Sequence, residues 1–542
     1  MKSPSAQPPR ADVCLLVEGT YPFVSGGVSS WVHDIIGGHP ELSFAVLNVG
    51  SHPAAYGEPR YQLPDNVTGL HRVFCQESAR PPLDGAARAD LREQIRTLRA
   101  ADTRTAPSRV LAGLRRLHLE GAADPESQRS ILDDLATNDL PLDEFLYGRA
   151  SFDLLTVLAD RTAAETPFLD LFWHYRAIHV PLLRLLAAPE VPAACYHAIA
   201  TGYAGLLAAV WSRRTQRPLA LTEHGIYARE REMELARADW IRDAAEIDDG
   251  GFGLRTATWA PHISPLRKIW SGFFRALSRL AYGQATRIVT LSEVNRLKQI
   301  ADGAPAAKID IVPNGVDLPD GVPLPAANDN DDPDSGPIAL RPAPLRVGFV
   351  GRVVPIKDLI TFIRACDQAL HTVDLEVRVI GPMDEDPSYA ARCRDLVARL
   401  GRGRQIDFVG PMKPADIYPN LDVVVLTSFS EGQPLVILEA YARGVAVIAS
   451  DVGACREMIE GRAADDRAIG PSGFVTRVAA PKETAAALVR LARDPRLRRR
   501  FGVAGFRRVA AYYQRRDMLA AYRALYASLG AGGEAVSYSV GG

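Results

Sequence analysis

At 542 residues and 47% hydrophobic content the chain can build several domains with large cores, and a formal net charge of −1 excludes both an acidic disordered chain and a globally basic nucleic-acid binder. Six cysteines, Cys14, Cys75, Cys195, Cys366, Cys393 and Cys455, occur without a C-x-x-C pair, so they read as reduced core residues, with no disulfide framework and no zinc site expected. The polar, proline-bearing start MKSPSAQPPR has no apolar stretch suited to a secretory signal, and the longest apolar run, residues 198–211, is short and broken by Thr201, Gly202 and Tyr203. A cytoplasmic protein is expected, brought to a membrane only by partners.

Residues 12–17 form an apolar, buried-strand pattern that empties into the glycine-bearing loop 18–28 and then a helical pattern over 29–36, the opening of a doubly wound domain. Gly26 and Gly27 either let the backbone approach a ligand at that helix N-terminus or make a tight turn. Residues 43–49 read as a second strand, after which regularity fades. From about residue 75 to residue 189, leucines at helical spacing (Leu111, Leu114, Leu117, then Leu154, Leu155, Leu158) predict a mainly helical insertion with solvated charged faces.

The α/β rhythm resumes with strands at 194–199, 218–225, 287–292 and 308–315. Residues 318–344, with NDNDDPD at their centre, are too poor in apolar residues to pack and read as an acidic linker; a metal site there is the lesser reading. A second series follows at 345–350, 375–380, 405–409, 422–427 and 445–450, with Leu359, Phe362, Ile363, Cys366 and Leu370 spaced for a crossover helix. The expected organisation is therefore a first domain over 1–317, the linker, a second domain over 345–510, and a C-terminal helix and tail over 511–542 that crosses back to the first domain.

Chemistry concentrates where strands end. Between the strands at 422–427 and 445–450 lies SFSEGQPLVILEAYAR, in which Pro434 suits the first turn of a helix and Gly444 its stop. It carries Glu431 in the loop and Glu439 on the helix; taken singly, the first could cap the helix start and the second could be solvated. Arg352 and Lys357 occupy the loop after 345–350, where an arginine fork and a lysine point charge can hold a pyrophosphate, although two surface cations would look the same. His224, in THR-GLU-HIS-GLY order at 222–225, is a lone histidine after a strand, a place where structural histidines are common.

The string from Glu431 to Glu439 resembles the E-x7-E signature of retaining glycosyltransferases with the GT-B fold, family four, with Gln433-Pro434 in place of the usual Phe-Gly. Gly351-Arg352 followed by Lys357 resembles the donor-phosphate clamp of those enzymes, TEHG the place of their sugar-contacting histidine, and PNGVD at 313–317 their hinge element. EGTYPFVSGGVSSW, TEHGIY and EGQPLVILEA, with the helical insertion, resemble most closely the cytosolic transferases of bacterial Pel exopolysaccharide systems.

The resemblance implies an α/β protein with two doubly wound, Rossmann-like domains facing across a cleft. It implies a UDP-hexose donor, UDP-glucose favoured, a growing polysaccharide or other sugar acceptor, inner-membrane proteins of the same system as partners, and no nucleic acid. It assigns Arg352, Lys357, Glu431 and His224 to catalysis, with Glu431 serving position and charge and Glu439 taking the ribose hydroxyls. Donor contacts fall to Gly26, Gly27, Asn314, Arg352, Lys357, Glu431, Gly432, Gln433, Pro434, Leu435, Glu439 and Gly453, with no cofactor and no metal. The rival readings are a nucleotide-sugar epimerase of similar architecture, which would need no acceptor, and a non-catalytic nucleotide-sugar-binding subunit.

Overall fold

A computed structural model of the chain describes residues 10–76, 108–162, 166–236, 264–319 and 344–532, with residues 93, 96, 238, 240 and 241 as isolated positions. The acidic centre of the expected linker lies outside the described residues. Two compact units emerge: one comprises Met1–Val289, Lys298–Asp310 and Tyr522–Gly542, the other Thr290–Leu297 and Ile311–Ala521.

The first unit carries β1 (Ala11–Glu18), α1 (Gly27–Gly37), β2 (Phe44–Gly50), β3 (Val67–Phe74), helices α2 (Arg109–Glu120), α3 (Pro125–Leu135), α4 (Leu142–Tyr147), α5 (Arg149–Thr162) and α6 (Phe168–Leu186), then β4 (Ala193–Ala198), α7 (Tyr203–Thr215), β5 (Leu219–Glu223), α8 (Tyr227–Ala236), α9 (Pro265–Gln284), β6 (Arg287–Thr290), α10 (Glu293–Ala301) and β7 (Ile309–Ile311), of which Thr290, the first five residues of α10 and Ile311 are assigned to the second unit. Its seven strands run in the order β3-β2-β1-β4-β5-β6-β7. The pairs β1 with β2, β1 with β4, β2 with β3, and β4 with β5 are parallel. In β1 all but Asp12 and Glu18 are buried, as a strand covered on both faces requires. Helices α2 to α6 form the expected insertion, and their leucines join the same core as the sheet, Leu114, Leu117, Leu155 and Leu182 among them.

The second unit holds β8 (Leu345–Val350), α11 (Leu359–Ala369), β9 (Leu375–Ile380), α12 (Pro387–Arg399), β10 (Ile406–Gly410), α13 (Pro414–Ile417), β11 (Val423–Leu426), α14 (Leu435–Tyr441), β12 (Ala446–Ser450), α15 (Cys455–Glu460), α16 (Ala464–Ala468), β13 (Gly473–Thr476), α17 (Pro481–Arg493), α18 (Pro495–Tyr512) and α19 (Arg515–Ser528). Its six strands are ordered β10-β9-β8-β11-β12-β13, every neighbouring pair parallel. Period-two alternation splits the core in two: Val423, Val425, Ala446 and Ile448 pack into one cluster, Val424, Leu426, Val447 and Ala449 into the other.

Two boundaries differ from the sequence reading. Residues 311–317, expected to close the first domain, belong to the second unit, because the Val316 N–H donates to Tyr513 O (3.0 Å), the Arg515 N–H donates to Val316 O (3.2 Å), and Val316 lies in the second unit's core. The second unit also runs to Ala521, past the expected end at 510, while Tyr522 and Tyr526 of α19 belong to the first. Among the described residues no helix is long and apolar enough to cross a membrane, and all six cysteines are buried and free.

Candidate functional site

In the second unit the loops after β8, β11 and β12 are laced together by their own backbones. Thr427, one residue past β11, donates its hydroxyl to Asp358 O (2.8 Å), and the Phe429 N–H donates to Ile356 O (2.9 Å). The loop after β8 tightens into a 3-10 turn, Pro355–Lys357, and Asp358, at φ 47°, starts α11 by accepting the Thr361 N–H. This lacing delivers Lys357 to Glu431. Lys357 Nζ and Ser428 Oγ both donate to Glu431 Oε1, each at 2.6 Å. The Glu431 side chain keeps only 9% of its surface, so two donors on one oxygen offset the cost of removing a carboxylate from water. Glu431 therefore does not cap α14, whose start at Pro434 has no side-chain cap.

Gly453, from the loop after β12, packs directly against this constellation. At φ +51° an added Cβ there would lie 2.0 Å from Glu431 O and 2.6 Å from Gly432 O. Its missing side chain admits the backbone of the Glu431 loop, and the neighbouring Ala454 N–H donates to Gly432 O (2.9 Å). Arg352 is paired with an acid of the same unit. Its NH1 donates to both oxygens of Glu385 at 2.6 Å, in a pair 40% and 47% exposed.

Gln433 and Asn314, both assigned to the donor, hold each other. The Asn314 N–H donates to Gln433 Oε1 (2.6 Å) and Asn314 Nδ2 to Gln433 O (3.3 Å), with both residues buried. This bond accounts for the amide that replaces the usual phenylalanine: a ring could not accept the Asn314 N–H. Pro434 is the N-cap of α14, one place earlier than expected, and Leu435 is its first, half-buried residue. Gly444, at φ 68°, ends the turn after α14 as anticipated. Glu439 lies half-buried on α14 and accepts the Tyr418 hydroxyl on Oε2. Burial raises its carboxyl above the usual range, opposed by the Tyr418 bond and the Arg515 charge.

In the first unit His224 follows β5. Among the described residues its Nε2 is buried without a hydrogen-bond partner, its ring meets the edge of Trp31 at 4.7 Å, and burial pushes its pKa down to about 4, so it is neutral near pH 7. The preceding Glu223 is buried and accepts four donors: Thr201 Oγ1 (2.9 Å) and the Tyr227 N–H (3.0 Å) on Oε1, Tyr282 OH (2.5 Å) and Gln299 Nε2 (2.8 Å) on Oε2. Gly26 is the N-cap of α1 in extended conformation and Gly27 the first helical residue. A Cβ at Gly26 would meet nothing within 4 Å, so no tight turn requires glycine there. Sequence reasoning missed Ser428, Tyr418, Trp31 and Glu223. The last ended an apolar strand as an acid, a signal that was present; the others sit in turns or on a buried helix face with no spacing rule to mark them.

Residues 11–307 match the family model described as Domain of unknown function (DUF3492). The chain belongs to that family. In this DUF3492 chain, residues 344–494 match a second model, described as Glycosyl transferases group 1. Among similar curated proteins is the D-inositol 3-phosphate glycosyltransferase of Streptomyces griseus subsp. griseus, 30% identical over 233 residues, or 40% of this chain and 48% of the relative. The enzyme of the same name from Rhodococcus erythropolis is 33% identical over 175 residues, 30% of this chain and 37% of the relative. The MMP alpha-(1->4)-mannosyltransferase of Mycolicibacterium hassiacum is 25% identical over 316 residues, 57% of this chain and 65% of the relative. The DUF3492 chain thus spans less than half the length of the first two relatives. Anabaena HepE, solved with UDP and glucose, aligns with a TM-score of 0.54 at 14% identity, covering 96% of this chain and all of that one. Sucrose-phosphate synthase from Thermosynechococcus elongatus gives 0.54 at 16% identity with the same coverage. At such identities the likeness is one of fold: an α/β protein of two Rossmann-like domains, of the GT-B kind.

Proposed function

We propose that this chain is a retaining glycosyltransferase that moves a hexose from a UDP-sugar, UDP-glucose favoured, onto a growing polysaccharide in a Pel-type exopolysaccharide system, working at the inner membrane through protein partners. The observation that carries the reading is the buried junction of Lys357, Ser428 and Glu431 at the carboxyl ends of β8 and β11, where parallel α/β sheets take their ligands, with Glu439 on the following helix. The group 1 match over 344–494 supports the activity.

In this scheme Glu439 holds the ribose, Lys357 and Arg352 neutralise the diphosphate, and Glu431 orients the sugar. The bond from the sugar's anomeric carbon to the diphosphate breaks, and the acceptor hydroxyl oxygen bonds that carbon from the same face. The acceptor's proton passes to the departing diphosphate oxygen, so the anomeric configuration is retained. Charge develops on the leaving oxygen, where preorganised cations act most strongly. Two cations supply what a metal would, and we propose that none is required. A sugar-contacting role for His224, neutral near pH 7, is proposed on the resemblance alone.

The test is incubation of purified protein with UDP-glucose and other UDP-hexoses, with and without oligosaccharide acceptors, in EDTA, following UDP release and product configuration by NMR. Acceptor-dependent UDP release with retained configuration is expected. Conversion of donor without acceptor would make it an epimerase, binding without turnover a nucleotide-sugar-binding subunit, and loss of activity in EDTA would end the metal-free scheme.

A further inference from the structure

Glu439 is awkwardly placed for a ligand-binding carboxylate. It projects from the middle of a seven-residue helix, α14, whose neighbours Ile437, Leu438 and Ala440 are buried, and burial itself favours the protonated form. A flexible glutamate in that position would lose its charge or turn toward solvent. A hydrogen bond opposes this. Tyr418, in the 3-10 turn Tyr418–Asn420 ahead of β11, is 1% exposed and aims its hydroxyl at Glu439 Oε2. Among the described residues Oε1 has no hydrogen-bond partner, and it is not among the fully buried unpartnered atoms. One oxygen is therefore pinned and the other is left available.

We propose that Tyr418 is a positioning residue for nucleotide binding: its hydroxyl pins Glu439 Oε2, keeping the carboxylate ionised and Oε1 directed at the ribose hydroxyls. The inference rests on the reading that Glu439 meets the ribose. The ring of Tyr418 is held by its own surroundings, since Ile417, Leu421, Val424 and Ile437 share its apolar cluster, so the hydroxyl is presented from a rigid base and little rotamer entropy remains to be lost when nucleotide binds. A phenol can donate to a carboxylate but gives less to a carboxylic acid that carries its own proton, so the contact favours the charged form. The charged and titratable groups that face Glu439 are the Tyr418 phenol, ahead of β11, and Arg515, at the start of α19. Arg515 also pairs with Asp317 at 3.3 Å, which divides its charge between two carboxylates.

Ionised Glu439 is the acceptor the ribose needs, so affinity should fall as pH drops through its raised pKa. Without the Tyr418 bond the opposing effect of burial is less restrained, and the fall should begin at higher pH. The experiment is calorimetric UDP binding between pH 5 and 8 for wild type, Tyr418→Phe and Glu439→Gln, with differences taken against Glu439→Gln to cancel the titration of the UDP phosphates. Tyr418→Phe should weaken UDP binding about tenfold at neutral pH, as loss of a hydrogen bond to a charged group implies, and should move the acid fall upward. Glu439→Gln should weaken binding at least as much and lose the fall altogether. Replacing Tyr418 by 3-fluorotyrosine, which keeps the shape and makes the phenol a stronger donor, should move the fall to lower pH; this arm stands even if Tyr418→Phe does not fold. Weaker binding with an unmoved acid limb would reduce Tyr418 to packing and overturn the inference while leaving the ribose role intact. Unchanged UDP affinity in Glu439→Gln would instead overturn the ribose role itself.

Discussion

Lys357 meets a carboxylate, not solvent, and that changes what its removal should do. The side chain is 24% exposed and its partner Glu431 only 9%, so the pair is partly desolvated and a lost lysine leaves Glu431 with Ser428 alone. If the diphosphate recruits the same ammonium as it leaves, Lys357→Ala should lower turnover by ~10²–10³ while raising the donor dissociation constant much less. Near-normal turnover in a folded variant would return Lys357 to a purely structural pairing. Arg352 is a different case, because its pair with Glu385 is surface-exposed and worth about 0–1 kcal/mol. Releasing it is cheap. Glu385→Ala should therefore leave donor affinity unchanged or slightly improved, whereas Arg352→Lys should lose turnover because an ammonium cannot replace the planar fork. Equal losses in both variants would mean that the Arg352–Glu385 pair, not free Arg352, is what the donor needs. Arg352, Lys357, Glu431 and Glu439 stood out in the sequence through the resemblance of their strings to the GT-B signature; position after a strand alone left each open to a bland reading. The sequence also marked Gly453, but its packing against the Glu431 loop depends on a contact about twenty residues away and was not legible. Tyr418 acts through such a contact as well, 21 residues from Glu439, whereas Ser428 meets Glu431 only three residues on.

At the scale of elements, strands that carry apolar runs were legible, the edge strands β7 and β10 among them, while the edge strands β3 and β13 were not. β1, β2, β4, β5, β8, β9, β11 and β12 stand out as apolar runs, whereas β3, VTGLHRVF, is partly exposed along its length at one edge of its sheet, and β13, at an edge of the other, has four residues. The last helix brings a contact that no run of residues could announce. Tyr526 OH and His197 Nδ1 share a hydrogen bond at 2.8 Å, His197 Nε2 meets Thr222 Oγ1 at 2.8 Å, and Thr222 Oγ1 meets Tyr522 OH at 3.0 Å, all buried. This chain ties α19 to β4 and β5, two residues before His224. Tyr526→Phe leaves a buried ring nitrogen without a partner, which should destabilise the first unit by about 1–3 kcal/mol. Arg523→Ala, which removes a surface pair with Glu41 (54% and 44% exposed), should cost under about 1 kcal/mol. Urea unfolding of the two variants measures the contrast, and an equal effect would remove the network's special standing.

For the whole molecule the two units should answer to different solutes, because their titrating groups are segregated. In the first unit burial pushes His197 down to about 3 and His118 and His224 to about 4, and lowers His179 well below its ordinary value. His118 and His179 also share a hydrogen bond at 2.9 Å between their Nε2 atoms, so one of the two must be a neutral acceptor. Between Ile311 and Ala521 the sequence holds one histidine, the exposed His371. Each depressed histidine binds its proton in the unfolded chain before the folded one, so stability is present above pH ~6.5 and is lost as pH falls toward the folded pKa, by about 1.4 kcal/mol per pH unit for a fully buried ring such as His197. The residues assigned to the diphosphate and the ribose, Arg352, Lys357 and Glu439, lie in the second unit. UDP at 100 times its dissociation constant should stabilise that unit by about 2.7 kcal/mol. Scanning calorimetry at pH 7.5 should then show one transition raised by UDP, and acidification to pH 5.5 should lower the other first. If UDP and acid moved the same transition, the segregation would not govern stability; if UDP moved the acid-sensitive transition alone, the donor would bind the first unit and the assignment of the diphosphate and ribose to Lys357 and Glu439 would fail.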